Sequence, residues 1–156
     1  IGLRGLSLVC NAAYIHSRVR FEEGAPERDR PLAGQSPYLV NAGLFYQHDD
    51  KGISASLLYN RIGKRIESVG VPMQNQNEDI PDIYEMPRNS LDLTFSKKIG
   101  KIVEIKAGIQ DMLNSKVEYK QFVKLTDDKG GKSEREQLIR SYRPGVDINI
   151  GVSLRF

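Results

Sequence analysis

From Pro144 to Phe156 every second residue is apolar. Pro144, Val146, Ile148, Ile150, Val152, Leu154 and Phe156 share one parity, while Gly145, Asp147, Asn149, Gly151, Ser153 and Arg155 occupy the other. Successive side chains of an extended strand point to opposite faces, so the pattern predicts a strand with one wholly apolar face. Four further segments alternate in the same way: Tyr38, Val40, Ala42, Leu44 and Tyr46; Ile53, Ala55, Leu57 and Tyr59; Leu91, Leu93 and Phe95; and Val103, Ile105, Ala107 and Ile109. Their intervening residues are mostly polar or glycine, with Leu39, Phe45 and Leu58 as exceptions. The first segment, residues 3–21, is less regular. Leu6, Leu8, Cys10, Ala12 and Tyr14 share a parity, whereas Val9, Ile15 and Val19 sit on the other, which predicts a face-switching bulge near Ala13.

The links between these six segments also alternate. Residues 48–52 and 98–101 are tight polar turns, whereas residues 22–36, 63–88 and 114–143 are long. The predicted architecture is all-β, an antiparallel up-and-down meander of six strands whose long links all leave from one end. Globular domains seldom carry several irregular loops beyond ~12 to 15 residues, whereas outer-membrane barrels combine short turns at one rim with long loops at the other.

Composition narrows the classes. Hydrophobic residues make up 39% of the chain and mean hydropathy is −0.45. No run reaches the ~20 apolar residues of a transmembrane helix. That argument leaves a barrel open, because its strands are apolar only at alternate positions. The single cysteine, Cys10, excludes an internal disulfide. The 23 basic and 20 acidic residues are interspersed for a net charge of +3, so no concentrated basic face for nucleic acid is expected. The chain opens at Ile1 without a charged-then-apolar leader and closes on the strand residue Phe156. It therefore reads as a cut-out of something longer. Six strands fall short of the eight used by the smallest single-chain barrels, and an open sheet in lipid leaves unpaired backbone groups at both edges. Tyr38, Tyr46, Tyr59 and Tyr142 stand near strand ends, where barrels carry aromatic girdles.

Four stretches resemble one family. Residues 30–41 (RPLAGQSPYLVN), 59–66 (YNRIGKRI), 84–92 (YEMPRNSLD) and 111–114 (DMLN) follow in the order and spacing of the closing barrel segment of TonB-dependent outer-membrane receptors, particularly those of the Bacteroidota. The alternation ending in Phe156 is similar to the β-signal read by the barrel-assembly machinery, carried here by Val146, Ile148, Ile150, Val152, Leu154 and Phe156. The resemblance covers nearly the whole chain. It implies that residues 1–156 are the C-terminal portion of a barrel of about 22 strands, without the plug, the TonB box or the earlier strands. The C-terminus would lie at the periplasmic rim and the long links outside the cell. The implied activity is energy-coupled import of a nutrient: an iron chelate, a cobalamin-like cofactor, or a glycan or peptide. The implied partners are the TonB–ExbB–ExbD system acting through the plug, the assembly machinery, the lipid bilayer with its lipopolysaccharide, and a surface lipoprotein.

Candidate chemistry is sparse. Asp92, Glu104, Lys106, Asp147 and Arg155 fall on the polar parity and are expected to face the lumen and pair across strands. Arg61, Lys64 and Arg65 form a basic group beside the third strand, suited to an anionic ligand or lipopolysaccharide. Glu78, Asp79, Asp82 and Glu85 form an acidic group in a long link, without the spacing of an EF-hand loop. His16 beside Ser17 and His48 beside Asp49 lack any nucleophile motif. No catalysis, metal or cofactor is expected. Two other readings use the same pattern: an outer-membrane barrel of another role, such as an enzyme or adhesin, and a soluble β-sandwich binding module. The sandwich predicts that the apolar faces pack against one another.

Overall fold

The computed structural model describes residues 4–23, 29–71, 80–126 and 132–155. Within them the chain forms strands and no helix: β1 Leu6–Tyr14, β2 Tyr38–His48, β3 Ile53–Ile62, β4 Arg65–Ser68, β5 Ile83–Glu85, β6 Arg88–Ile99, β7 Val103–Gln110, β8 Val117–Thr126, β9 Lys132–Tyr142 and β10 Asp147–Leu154. All pairings are antiparallel. The main sheet has the order β1-β2-β3-β6-β7-β10, and a second sheet has the order β4-β5-β8-β9.

The six expected strands are the six of the main sheet, and they are neighbours in chain order. Their register carries a single face across the whole sheet. Leu8 lies opposite Leu44, Leu44 opposite Leu57, Leu57 opposite Leu93, Leu93 opposite Ile109, and Ile109 opposite Ile148. On the other face Asn11 lies opposite Asn41, Asn41 opposite Asn60, and Asn60 opposite Ser90. A slip of one residue in any strand would turn its apolar set over, so the alternation itself fixes the register. Among the described residues every extensive strand–strand contact is between hydrogen-bonded neighbours, and no strand packs broadly across a sheet face against another. Ile148 is 68% exposed and Ile150 76% exposed. The apolar faces do not pack into a sandwich. The whole chain exposes 11699 Å², where a compact monomer of its 17.6 kDa exposes about 7,900 Å².

Two expectations need correction. The first strand is Leu6–Tyr14, paired without a break to β2, so no bulge occurs at Ala13. Val9 stays on the polar face opposite Gly43, and Ile15 and Val19 lie beyond the strand. The links 63–88 and 114–143 are not irregular either. They fold back as β4–β5 and β8–β9 and build the second sheet. Each of its strands adjoins its counterpart in the main sheet: β4 follows β3, β5 precedes β6, β8 follows β7 and β9 precedes β10. The second sheet therefore stands beyond the long-link end of the main one. Among the described residues the buried hydrophobic ones are all in it: Ile66, Val117 and Tyr119. Phe156 lies outside the described residues.

Candidate functional site

Where strands cross between the sheets, each is interrupted. The clearest interruption follows β7, where Asp111 (φ 51°) and Asn114 (φ 43°) adopt the left-handed conformation that Asp and Asn tolerate better than other non-glycine residues. The Asp92 carboxylate accepts the Asp111 backbone N–H at 2.8 Å, and Asp111 forms an ion pair with Arg88. Asn114 then ties the turn to the approach of β10. Its backbone carbonyl accepts from Arg143 Nη1 at 2.6 Å, and its side-chain Oδ1 accepts from the Gly145 N–H at 3.1 Å. Asp92 is thus on the polar face as expected, but it holds a turn rather than a cross-strand cation.

Three of the other polar-face residues do come together. Glu104 Oε2 lies 3.6 Å from Lys106 Nζ on its own strand and 4.0 Å from Arg155, just past the end of β10. Asp147 sits opposite Gln110, away from this group. The polar face is not uniformly polar. The Phe45 ring lies across Gly43, where an added Cβ would meet Phe45 Cε2 at 2.7 Å and Leu58 Cδ2 at 3.1 Å.

The basic group Arg61, Lys64 and Arg65 is not one patch. Arg65 is paired with Glu85 at 2.7 Å. Lys64 Nζ sits over two rings of the second sheet, 4.1 Å from the centre of Tyr84 and 3.9 Å from that of Phe122. Those rings meet edge to face at 5.7 Å. Arg61 belongs to the main sheet. It lies on the apolar face at the long-link end, in register between Val40 and Asn89. Its Nε donates to Tyr38 Oη at 3.4 Å and its Nη1 to Asn89 Oδ1 at 2.8 Å. Tyr59 Oη donates to the same Asn89 oxygen at 2.9 Å. Tyr38 reaches this position because its ring covers Gly63, where a Cβ would stand 2.7 Å from Tyr38 Cε1. Tyr14 pairs with Tyr38 on the same face. In the sequence Arg61, Tyr38 and Tyr59 stand apart, and nothing local joins them. Asn89 was missed, since a lone polar residue at the end of an apolar parity gives no signal by itself.

In the second sheet, burial pushes the Tyr84 hydroxyl above its ordinary value, with the Asp82 carboxylate adding to the effect. Burial raises Tyr119 as well, against the opposing hydrogen bond with Arg140, whose guanidinium stacks 4.1 Å from its ring. Lys120 is raised by its hydrogen bond to Glu136, at 2.6 Å.

The two histidines stand at opposite ends of the main sheet. His48 Nδ1 accepts the Lys51 N–H in a short turn, whereas His16 follows β1 at the opposite end of the sheet. Of the acidic group, Glu78 and Asp79 lie outside the described residues, Asp82 accepts the Gly70 N–H and Glu85 holds Arg65. No cluster of metal-binding side chains occurs among the described residues.

No family model, curated protein or solved structure matches the chain.

Proposed function

We propose that the main sheet is a section of the wall of an outer-membrane β-barrel, and that the parent protein is a TonB-dependent receptor importing a nutrient. The observation that carries this reading is the continuous apolar face: six strands in unbroken register, with no other strand laid over it among the described residues. Those strands are 8 to 12 residues long. Ten residues at ~3.3 Å each, tilted by ~45°, rise about 23 Å, close to the height of a barrel's apolar band. Tyr14, Tyr38 and Tyr59 mark one border of that band on the apolar face, and Tyr46 and Phe95 lie toward the other.

In this reading the turns 48–52 and 98–101 are periplasmic and the second sheet is extracellular. The polar face lines the lumen, and the edges of β1 and β10 pair with the rest of the barrel. The nutrient is held by the outer sheet and the lumen rather than by a catalytic centre. Energy comes through a plug engaged by TonB–ExbB–ExbD, and the β10 alternation serves the assembly machinery.

The test is made on the full-length parent. It should fractionate with the outer membrane and run as a faster, heat-modifiable band on unboiled gels. Uptake of the nutrient should be lost on deletion of either the receptor or TonB. A parent that is soluble without detergent would overturn the barrel, and uptake independent of TonB would overturn the receptor assignment.

A further inference from the structure

We infer that Arg61, Tyr38, Tyr59 and Asn89 form a site for the phosphate of an anionic lipid headgroup, built on the apolar face at its long-link border. The inference rests on the reading that this face meets lipid. Below the site, every residue of this parity on β3 is apolar: Ile53, Ala55 and Leu57, up to Tyr59. Arg61 is the first charge on that face of the strand. A guanidinium at this level meets the headgroup layer, while its stem can lie along the hydrocarbon border.

The arrangement leaves the charge available. Neighbouring arginines are neutralised, Arg65 by Glu85 and Arg88 by Asp111. Arg61 is held instead by two neutral oxygens, Tyr38 Oη and Asn89 Oδ1. Arginine has five N–H donors in a planar fork suited to two phosphate oxygens. Nε and Nη1 of Arg61 donate to Tyr38 and Asn89, and the Tyr59 hydroxyl lies within hydrogen-bonding reach as well; all three partners are neutral, so the guanidinium charge stays available to an anion. The Tyr38 hydroxyl accepts from Arg61 and so keeps its own proton to donate. Three strands contribute, β2 through Tyr38, β3 through Tyr59 and Arg61, and β6 through Asn89, which fixes the fork before a ligand arrives. Gly63 is part of the construction because only a residue without a Cβ lets the Tyr38 ring lie where it does.

The test uses the full-length parent reconstituted in phosphatidylcholine vesicles doped with phosphatidic acid. After detergent extraction, the phospholipid retained on the purified protein is measured by class, and the heat-modifiable band is read on the same samples. Phosphatidic acid should be enriched over phosphatidylcholine. Arg61→Gln should lower that enrichment about fivefold, the effect of one basic residue at an anionic lipid surface. Tyr38→Phe, which keeps the ring, should lower it less. Both variants should keep the shifted band. Should Arg61→Gln fail to insert, Tyr38→Phe and Asn89→Ala carry the test. Equal enrichment in inserted wild type and variants would overturn the site and leave the barrel standing. Displacement of the lipid by inorganic phosphate alone would overturn the lipid as its ligand. A wild-type protein with no shifted band would overturn the barrel reading, and the site with it.

Discussion

Asp111 performs two tasks that different substitutions can separate. Its carboxylate neutralises the partly buried Arg88, and its backbone occupies a left-handed conformation. Asp111→Asn keeps the tolerance for that conformation and removes the charge. The loss of a charge-assisted hydrogen bond should lower stability by about 2 kcal/mol. Asp111→Ala adds the left-handed penalty, for a total nearer ~3 kcal/mol. The denaturation midpoints of the full-length protein in detergent should therefore fall in the order wild type, Asn, Ala. If Asn and Ala are equal, the turn's backbone is not under constraint. A second residue-scale prediction concerns Gly63. A methyl group there would displace the Tyr38 ring and its contact with Arg61. Gly63→Ala should destabilise by roughly 1 kcal/mol, as overpacking does, and should reproduce the lipid-retention loss of Tyr38→Phe. Normal retention in that variant would detach the ring's position from the arginine.

At the scale of elements, the two sheets differ in how far they can be read from sequence. The main sheet was legible because each strand has an apolar and a polar face, which gives the chain a period of two over long stretches. The strands of the second sheet carry no such contrast. On β8, Val117, Tyr119 and Gln121 alternate with Glu118, Lys120 and Phe122, so both faces are mixed. Strands β4 and β5 are only 4 and 3 residues long. Beside the buried Ile66, Val117 and Tyr119, this sheet is joined by cross-strand charge and aromatic contact: Arg65 with Glu85, Lys120 with Glu136, and Lys64 over Tyr84 and Phe122. Such pairs are set by strand partners distant in sequence, which a local pattern cannot reveal. The same reason explains why Arg61, Lys64 and Arg65 read as one basic group although the fold sends them to three different partners.

The chemistry of the second sheet also predicts a pH response. Tyr84, Tyr119 and Lys120 all hold their protons more tightly in the folded chain than their ordinary values of 10.0, 10.0 and 10.5 imply. Above pH about 10 the unfolded chain releases these protons first, so folding stability must fall with rising pH. Below that pH these groups add no pH dependence. Amide exchange in β5 and β8 should accelerate between pH 10 and 12 after correction for intrinsic rates, ahead of exchange in β2 and β3. Uniform loss of protection across both sheets would place the alkaline sensitivity elsewhere.

At the scale of the whole molecule, the question is what lies against the apolar face. Ile150 and Asn149 are adjacent on β10 and point to opposite faces, opposite Ala107 and Gly108 of β7. In water an arginine at either position would change stability by no more than ~0.5 kcal/mol, because Ile150 is already 76% exposed and such a site has little packing to lose. Lipid breaks that equivalence. An arginine on the lipid face near the bilayer midplane costs about 2–4 kcal/mol, whereas one on the lumen side is accommodated by water. Ile150→Arg should therefore shift the urea midpoint for folding into vesicles strongly, and Asn149→Arg little, both read from the heat-modifiable band of the full-length protein. The two substitutions introduce the same charge at neighbouring positions of one edge strand, so propensity and net charge cancel in the comparison. What remains is the medium on each side of the sheet. Equal midpoints would mean that water wets both faces, and a sheet wetted on both sides cannot be the wall of a barrel in a membrane.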